Sequence, residues 1–155
     1  MGKTIIKDGI LIEDDWIIDR SGAASSAEAG KLTESNRVIS LAEWKQNKDR
    51  YKADAGAKGL ALCNVDNVLE LVDELKFFDL ICLEFPEAGD GRAYSQAKML
   101  RDRLGYQKEI RATGEVLTDQ LFLMQRSGIN AFELREGQDA EAALQRLAPF
   151  SVSYQ

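Results

Sequence analysis

The chain has 155 residues, a formal net charge of −6 and 45% hydrophobic residues, values typical of one folded domain with a hydrophobic core. The acidic balance disfavours a broad nucleic-acid-binding face, because negative charge repels phosphate backbones. No apolar run approaches the roughly 20 residues that span a bilayer, and the N-terminus lacks the apolar region and cleavage site of a signal peptide. We therefore expect a cytoplasmic protein that binds neither nucleic acid nor membrane.

Histidine is absent from the sequence, which removes His-based triads, His metal ligands and the commonest general base near neutral pH. The two cysteines, Cys63 and Cys82, are too few for a disulfide framework. Both lie in or after apolar segments, so we expect buried, inert thiols, with Cys63 the better candidate for any redox role. The usual motifs of nucleotide, flavin, iron–sulfur and zinc sites are missing, so no cofactor is identified and no metal site is predicted.

The N-terminal residues 3–19 predict a small antiparallel β-meander. Asp8-Gly9 between the apolar segments of "TIIKDGILI" is the signal of a two-residue hairpin turn, and "EDD" makes a second turn before "WIID". Residues 20–36 are small and polar and show no hydrophobic period, so they predict a flexible linker or a surface loop.

From Arg37 onward, short apolar strands alternate with segments of helical period. The predicted strands are "RVI", "KGLALC", "DLICLEF", "EIRAT" and "AFEL", and "FSVSY" is a candidate last strand. Five strand–helix units in a row predict a single α/β domain over residues 1–155, with its core in residues 37–155 and a mostly parallel sheet. The strand order stays open between a sequential part-barrel and a Rossmann-like, doubly wound open sheet.

The intervening segments carry helix signals. Ser40 and Glu43 form a capping box for a helix that runs toward Tyr51. Asp66 is the predicted cap of the next helix, whose buried face would comprise Val68, Leu71, Val72 and Leu75. Further helices are predicted after "DGR", from about Val116 to Gly128, and from an Asp cap in "DAEAALQRL", with Gly105 ending the first of them.

Ligands of parallel α/β proteins bind at the carboxyl ends of the strands, where "EFPEAGDGRAYS" lies in this chain. In that stretch, Gly89 and Gly91 permit a tight turn, and Asp90 can cap the following helix. Arg92 can direct its guanidinium at an oxyanion beside the positive end of the helix dipole. Tyr94 and Ser95 follow in the first helical turn. The competing interpretation is an ordinary turn with a surface arginine.

Arg111 lies inside the short strand "EIRAT", where its guanidinium would be buried and would need carboxylate partners. Glu84 at the end of the preceding strand is one candidate partner, and Asp90 and Glu115 are others. One interpretation is a structural ion pair at the sheet edge. The other is an anion or carboxylate clamp that Arg111 forms together with Arg92.

The segment from Gly114 to Gln120 begins the next predicted helix. Glu115 and Asp119 would lie one helical turn apart and face the same way, and Gln120 adds a further polar group. Such acids either transfer protons or bind a cation, or they simply complement the helix dipole. Glu115, Asp119 and Tyr94 are the candidate catalytic residues.

The run "LEFPEAGDGRAYSQAKMLRDRLGYQKEIRATGEVLTDQLFLMQRSGINAFEL" resembles the bacterial domain of unknown function 934 family, over roughly Leu80 to Leu134. The segments "DGILIEDDWI" and "VISLAEW" resemble the opening of that family. Its members are commonly labelled as oxidoreductases of sulfite reduction. The family's polar signature falls on Asp90, Gly91, Arg92, Tyr94, Ser95, Arg111, Gly114, Asp119 and Gln120. Ser127 stands where the family often has Cys, so we expect no thiol mechanism there.

The resemblance implies an accessory protein of assimilatory sulfite reduction that acts through a partner such as the sulfite reductase hemoprotein. An acidic surface is suited to docking with a basic partner. The alternative is a small enzyme or sensor that binds an oxyanion with Arg92 and Arg111 at the start of the DGR helix. A scaffold domain without a ligand is the third hypothesis. The sequence also leaves self-association into a homo-oligomer open.

Overall fold

The computed structural model describes residues 4–14, 16–18, 36–54 and 56–147. It confirms the predicted α/β fold, with consecutive strand–helix units that build a mostly parallel sheet and an antiparallel hairpin at the N-terminus. The predicted linker, apart from Asn36, and the candidate last strand lie outside the described residues. Each helix in the described part of the chain is too short or too polar to cross a bilayer.

The described residues form a sheet of eight strands. These are β1 (Thr4–Lys7), β2 (Ile10–Glu13), β3 (Ile17–Ile18), β4 (Arg37–Ser40), β5 (Lys58–Leu62), β6 (Leu80–Phe85), β7 (Glu109–Gly114) and β8 (Ala131–Phe132). The spatial order is β2-β1-β8-β7-β6-β5-β4-β3, so β3 to β8 are parallel neighbours in chain order, while β1 joins β8 antiparallel. This is the sequential alternative, because a doubly wound sheet would reverse its order at a switch point.

Short helices connect the parallel strands. They are α1 (Leu41–Gln46), α2 (Lys48–Ala53), two 3₁₀ turns (Val68–Leu71 and Leu75–Phe77), α3 (Gly91–Lys98) with a π-helical turn (Met99–Arg103), a 3₁₀ turn (Thr118–Gln120), α4 (Leu121–Arg126) and α5 (Ala140–Leu144). Their apolar side chains share one core with alternate residues of the strands, such as Ile81 and Leu83 of β6. Right-handed crossovers between sequential neighbours explain why the helices all pack on one face.

The two outermost strands of the sheet are joined by a short connection. β2 ends at Glu13 and β3 begins at Ile17, so the connection reaches at most about 14 Å. Eight strands laid flat would separate the two edges by about 34 Å. The sheet must therefore roll up until its edges approach each other. Consistent with this, Lys7 of β1 and Asn36 beside β4 line the same pocket, of about 490 Å³.

Asp14 and Trp16, which we call the strap, lie against the helix-free face that the rolled sheet encloses. Trp16 packs on a small cluster made by Val38, Leu80 and Cys82 of the parallel strands. The prediction of a three-stranded antiparallel meander is wrong. The Asp8-Gly9 hairpin is present, but the strand that follows "EDD" pairs in parallel with β4 and not with β2.

Other helix predictions also need correction. The helix predicted to run through Trp44 toward Tyr51 is interrupted at Asn47 and divides into α1 and α2. The segment after Asp66 forms 3₁₀ turns capped by Asn67, and Val72, expected on the buried face, is 52% exposed. A 3₁₀ turn holds three residues in each turn, so its faces do not follow the α-helical spacing.

Candidate functional site

The loop between β6 and α3 borders an open pocket of about 860 Å³ at the carboxyl edge of the sheet. Its lining residues are Asn64, Pro86, Glu87, Ala88, Gly89, Asp90, Gly91, Arg92 and Ser95. The predicted loop is therefore at the expected edge, and Arg92 and Ser95 are exposed there. Asn64, at the end of the neighbouring β5 unit, lines the same pocket.

Asp90 caps α3, as predicted, and its carboxylate organises the loop. Its Oδ1 atom accepts hydrogen bonds from the backbone N–H of Arg92 at 2.9 Å and of Ala93 at 3.1 Å. Its Oδ2 atom accepts a hydrogen bond from the side-chain amide of Asn64 at 2.9 Å. These bonds, the one from Ala93 most of all, lower the pKa of Asp90. The carboxylate therefore occupies two of the donors that would otherwise be offered to an anion at this helix start.

The two loop glycines have different roles. Gly89 has a φ of +76°, a conformation that favours glycine, and a Cβ there would lie 3.7 Å from Oε1 of Gln120. Gly91 has no positive φ, and a Cβ on it would meet nothing within 4 Å. The prediction was that Gly89 and Gly91 permit a tight turn, and a backbone conformation that favours glycine is present at Gly89 alone.

Tyr94 and Gln120 are brought together beside the loop. The phenol of Tyr94 donates to Oε1 of Gln120 at 3.0 Å, and its ring packs edge-on against Phe85 at a centroid distance of 5.2 Å. Burial and, after it, the negative charge of Asp119 raise the pKa of Tyr94. Because a raised pKa keeps the phenol protonated at neutral pH, Tyr94 is a hydrogen-bond donor in this arrangement. Asp119 itself is exposed.

Arg111 lies elsewhere, on the helix-free face, and is 1% exposed. Its Nη1 atom contacts Asp14 of the strap at 2.9 Å, and its Nε and Nη2 atoms donate to Oε2 of Glu109 at 3.1 and 2.9 Å. Burial alone would lower the pKa of Arg111, but the two carboxylates outweigh it and raise the pKa. The expected partners Glu84, Asp90 and Glu115 were wrong, and the structural ion-pair interpretation holds for this residue.

The expected clamp of Arg92 with Arg111 is consequently not formed. Arg92 belongs to the exposed pocket at the loop, whereas Arg111 is enclosed with its strap carboxylate. Neighbouring residues of a strand point to opposite faces of the sheet, and Arg111 is aligned with Cys82 on the helix-free face. The alternation of β7 therefore keeps this guanidinium away from the helix starts.

Gly114 has a structural explanation. It has a φ of +88°, and a Cβ on it would lie 2.5 Å from the carbonyl oxygen of Phe85. That same oxygen accepts a hydrogen bond from the backbone N–H of Glu115 at 2.8 Å. The β6 and β7 chains thus approach each other closely where both strands end, and only glycine fits without displacement.

The predicted pairing of Glu115 and Asp119 on one helical face is wrong. The helical segment begins with the 3₁₀ turn at Thr118, so Glu115 precedes it. Glu115 instead pairs with Arg135 at 3.4 Å, and both side chains are substantially exposed. Glu84 is exposed at the end of β6. The described residues contain no group of three or more His, Cys, Asp or Glu side chains arranged to hold a metal ion.

The thiols are poor nucleophiles at neutral pH. Cys82 is buried, and burial raises its pKa to about 12. Cys63 was expected to be buried but is exposed at the end of β5. Partial burial, followed by the charges of Asp66 and Glu84, raises its pKa as well. Since the thiolate is the reactive form, neither cysteine is activated in this structure.

The sequence did not point to Arg101, which stabilises the loops that precede β7 and β8. Its guanidinium donates to the carbonyl oxygens of Tyr106, Lys108 and Gly128 at 2.7 to 2.8 Å, and to the side chain of Asn130 at 3.3 Å. The signal was an arginine in the run "LRDRLGY", within the predicted helix after "DGR". This run therefore has a structural role remote from the loop pocket.

Comparison with known proteins agrees with the motif. A family model described as "Bacterial protein of unknown function (DUF934)" matches residues 59–155, which is more than half of the chain. The match includes the loop pocket, α3, the strands β6 to β8 and all of β5 except Lys58. No curated protein matches the chain.

Proposed function

The chain belongs to the DUF934 family of bacterial proteins, and from that premise we propose that it is an accessory protein of assimilatory sulfite reduction. It acts by binding a partner such as the sulfite reductase hemoprotein, which carries out the chemistry. The label commonly given to members of this family suggests the pathway. A net charge of −6 suits docking with a basic partner surface.

The observation that carries this proposal is the way the loop pocket is held together. The carboxylate of Asp90 accepts hydrogen bonds from the backbone N–H groups of Arg92 and Ala93 and from the side chain of Asn64, so it maintains the loop itself. What the loop offers outward is an exposed surface that includes Glu87, Arg92 and Ser95. A surface that is already ordered costs less entropy to bind, which favours recognition of another molecule.

The state of the ionisable groups agrees with a binding role. Tyr94, Cys63 and Cys82 all have raised pKa values, so each is in its protonated form near neutral pH. Arg111 is committed to Asp14 and Glu109. Arg111 therefore forms a structural ion pair, and the raised pKa values leave the other three groups unactivated as nucleophiles or bases.

The test is association of the full chain with purified sulfite reductase hemoprotein. We expect the two proteins to co-elute in gel filtration at about 50 mM salt and to separate at about 500 mM salt, because screening weakens contacts between exposed charges. Persistent separation at both salt concentrations would refute the accessory role. Lysozyme, a basic protein, replaces the hemoprotein in the control for non-specific electrostatic attraction.

A small enzyme or sensor for an oxyanion is the second candidate function. The observation in its favour is that Arg92 is exposed in the loop pocket beside the hydroxyl residue Ser95. Two acidic residues, Glu87 and Asp90, line the same pocket, so its formal charge does not favour an anion. Because Arg111 is buried with Asp14, it does not supply a second guanidinium to the loop pocket. We therefore place this function after the accessory role.

A further inference from the structure

The 3₁₀ segment between β5 and β6 exposes a stripe of apolar side chains. Val65 is 69% exposed, Leu69 38% and Val72 52%. Leu69 and Val72 are three residues apart, and side chains at that spacing in a 3₁₀ helix eclipse each other, so these two face the same outer side. Val65 lies in the turn that precedes the 3₁₀ helix. Val68, Leu71 and Leu75, which alternate with them, are buried in the main core. We call the outer set, Val65, Leu69 and Val72, the apolar stripe.

Acidic residues are interleaved with the apolar stripe. Glu70 and Asp73 are both exposed, and each follows a stripe residue in the sequence. A surface that combines exposed apolar groups with one sign of charge is complementary to a surface with an apolar centre and the opposite charge. Two copies of this chain placed stripe to stripe would bring carboxylates against carboxylates, which disfavours self-pairing.

The stripe is also held firmly to the rest of the fold. Nε2 of Gln96 in α3 donates to the carbonyl oxygens of Cys63 at 2.7 Å and Asp66 at 2.9 Å, on either side of Val65. Asn67 caps the 3₁₀ turn by accepting a hydrogen bond from the N–H of Leu69 at 3.0 Å. Asn64 joins this segment to Asp90 of the loop pocket. The stripe and the loop pocket are thus parts of one connected surface.

We propose that the apolar stripe, with Glu70 and Asp73, is the docking site for a basic protein surface that has an apolar centre. This inference rests on the proposed function, because it identifies the part of the chain that the partner contacts. The apolar side chains supply the buried contact area, and the carboxylates orient the basic partner and accelerate its approach.

The experiment measures binding of the full chain to the sulfite reductase hemoprotein by biolayer interferometry at about 50 mM salt. The double variant Leu69→Ser/Val72→Ser should weaken binding by at least about tenfold. The double variant Glu70→Lys/Asp73→Lys should do the same and should also reduce the dependence of Kd on salt. Thermal unfolding of each variant checks that the fold is retained. We expect it to be retained, because all four side chains are exposed.

Matched controls lie elsewhere on the surface. Leu123 is 52% exposed on α4, so Leu123→Ser removes a comparable apolar group, and Glu136→Lys changes an exposed charge remote in sequence from the stripe. Both controls should bind within about twofold of the wild-type protein, as expected of residues outside an interface.

The outcomes separate the two proposals. Wild-type binding that the stripe variants do not change would overturn the docking site and leave the accessory role standing. Absence of wild-type binding would overturn both. Self-association of the wild-type chain in light scattering, abolished by Leu69→Ser/Val72→Ser, would identify a second copy as the occupant and would also overturn the proposed partner chemistry.

Discussion

Nη1 of Arg111 lies 2.9 Å from Oδ1 of Asp14, a carboxylate 97 positions away in the chain. Glu109 accepts from the other side of the same guanidinium and also pairs with Lys7 at 3.2 Å. The contact ties the strap to the middle of the parallel sheet. It joins the N-terminal hairpin, the strap and β7 into one network of alternating charge, in which Arg111, Asp14 and Glu109 are buried and Lys7 is partly exposed.

Replacement of Arg111 by Ala should be strongly destabilising. It removes the positive charge from a site where Glu109 and Asp14 have side chains only 6% exposed. Breaking a buried ion pair by removal of one partner costs about 3–5 kcal/mol, since a buried charge is left uncompensated. Urea unfolding followed by circular dichroism measures this change in the free energy of unfolding.

The matched control for Arg111 is Arg135→Ala, which removes the pair with Glu115 where both side chains are largely exposed. This change should cost at most about 1 kcal/mol. If the two variants lost equal stability, the assignment of Arg111 to a structural network would be wrong.

Gly114→Ala should destabilise the protein, whereas Gly91→Ala should not. A methyl group on Gly114 would collide with the carbonyl oxygen of Phe85 at a φ of +88°, and we expect a loss of about 2–5 kcal/mol. A methyl group on Gly91 meets nothing within 4 Å, and Ala is the better helix former, so stability should stay within about 1 kcal/mol or rise. Thermal and urea unfolding of both variants provide the comparison, and equal losses would contradict it.

Asp90 should contribute to a loss of stability in acid. Its pKa is lowered in the folded state, mainly by the hydrogen bond from Ala93, so its contribution is complete above the unfolded pKa and is lost as the pH falls through the folded pKa. Asp90→Asn keeps a capping acceptor but does not titrate. The variant should therefore match the wild type near pH 7 within about 1 kcal/mol and lose less stability below about pH 4. Unfolding curves with the same acid dependence for both proteins would contradict this role.

The two thiols should differ in labelling by a chromogenic disulfide reagent. Cys63 is exposed, so it should react in the native state, but more slowly at pH 7 than a free thiol and faster as the pH rises, because its raised pKa reduces the thiolate fraction. Cys82 should react only after unfolding. Cys63→Ser supplies the control, since it should abolish native-state labelling. Rapid labelling of that variant would show that Cys82 is accessible.

The oxyanion hypothesis makes its own prediction for Arg92. If the loop pocket binds a small oxyanion, calorimetric titration with sulfite, sulfate or phosphate should give heat that Arg92→Ala abolishes. Arg103→Ala, an exposed arginine beyond α3, is the matched control. Binding that both variants retain, or no binding by the wild-type protein, would eliminate this function and leave the accessory role unaffected.

Local sequence signals determined much of the fold. The strand–helix alternation, the Asp8-Gly9 hairpin, the Ser40 and Asp90 caps and the ends at Gly105 and Gly128 were all correctly predicted. These features depend on contacts between residues close in sequence, so the residue types alone specify them. The position of the loop pocket followed as well, because the carboxyl ends of parallel strands share one edge.

Only the tertiary structure decided the partners of Arg111 and the order of the strands. Hydrophobic periodicity records that a residue is buried, but it does not record which distant residue lies opposite. Asp14 reaches Arg111 because the sheet rolls up and brings the strap against its helix-free face. The alternation of side chains along β7 directs Arg111 to that face and so separates it from Arg92, although the sequence analysis had placed both at one site.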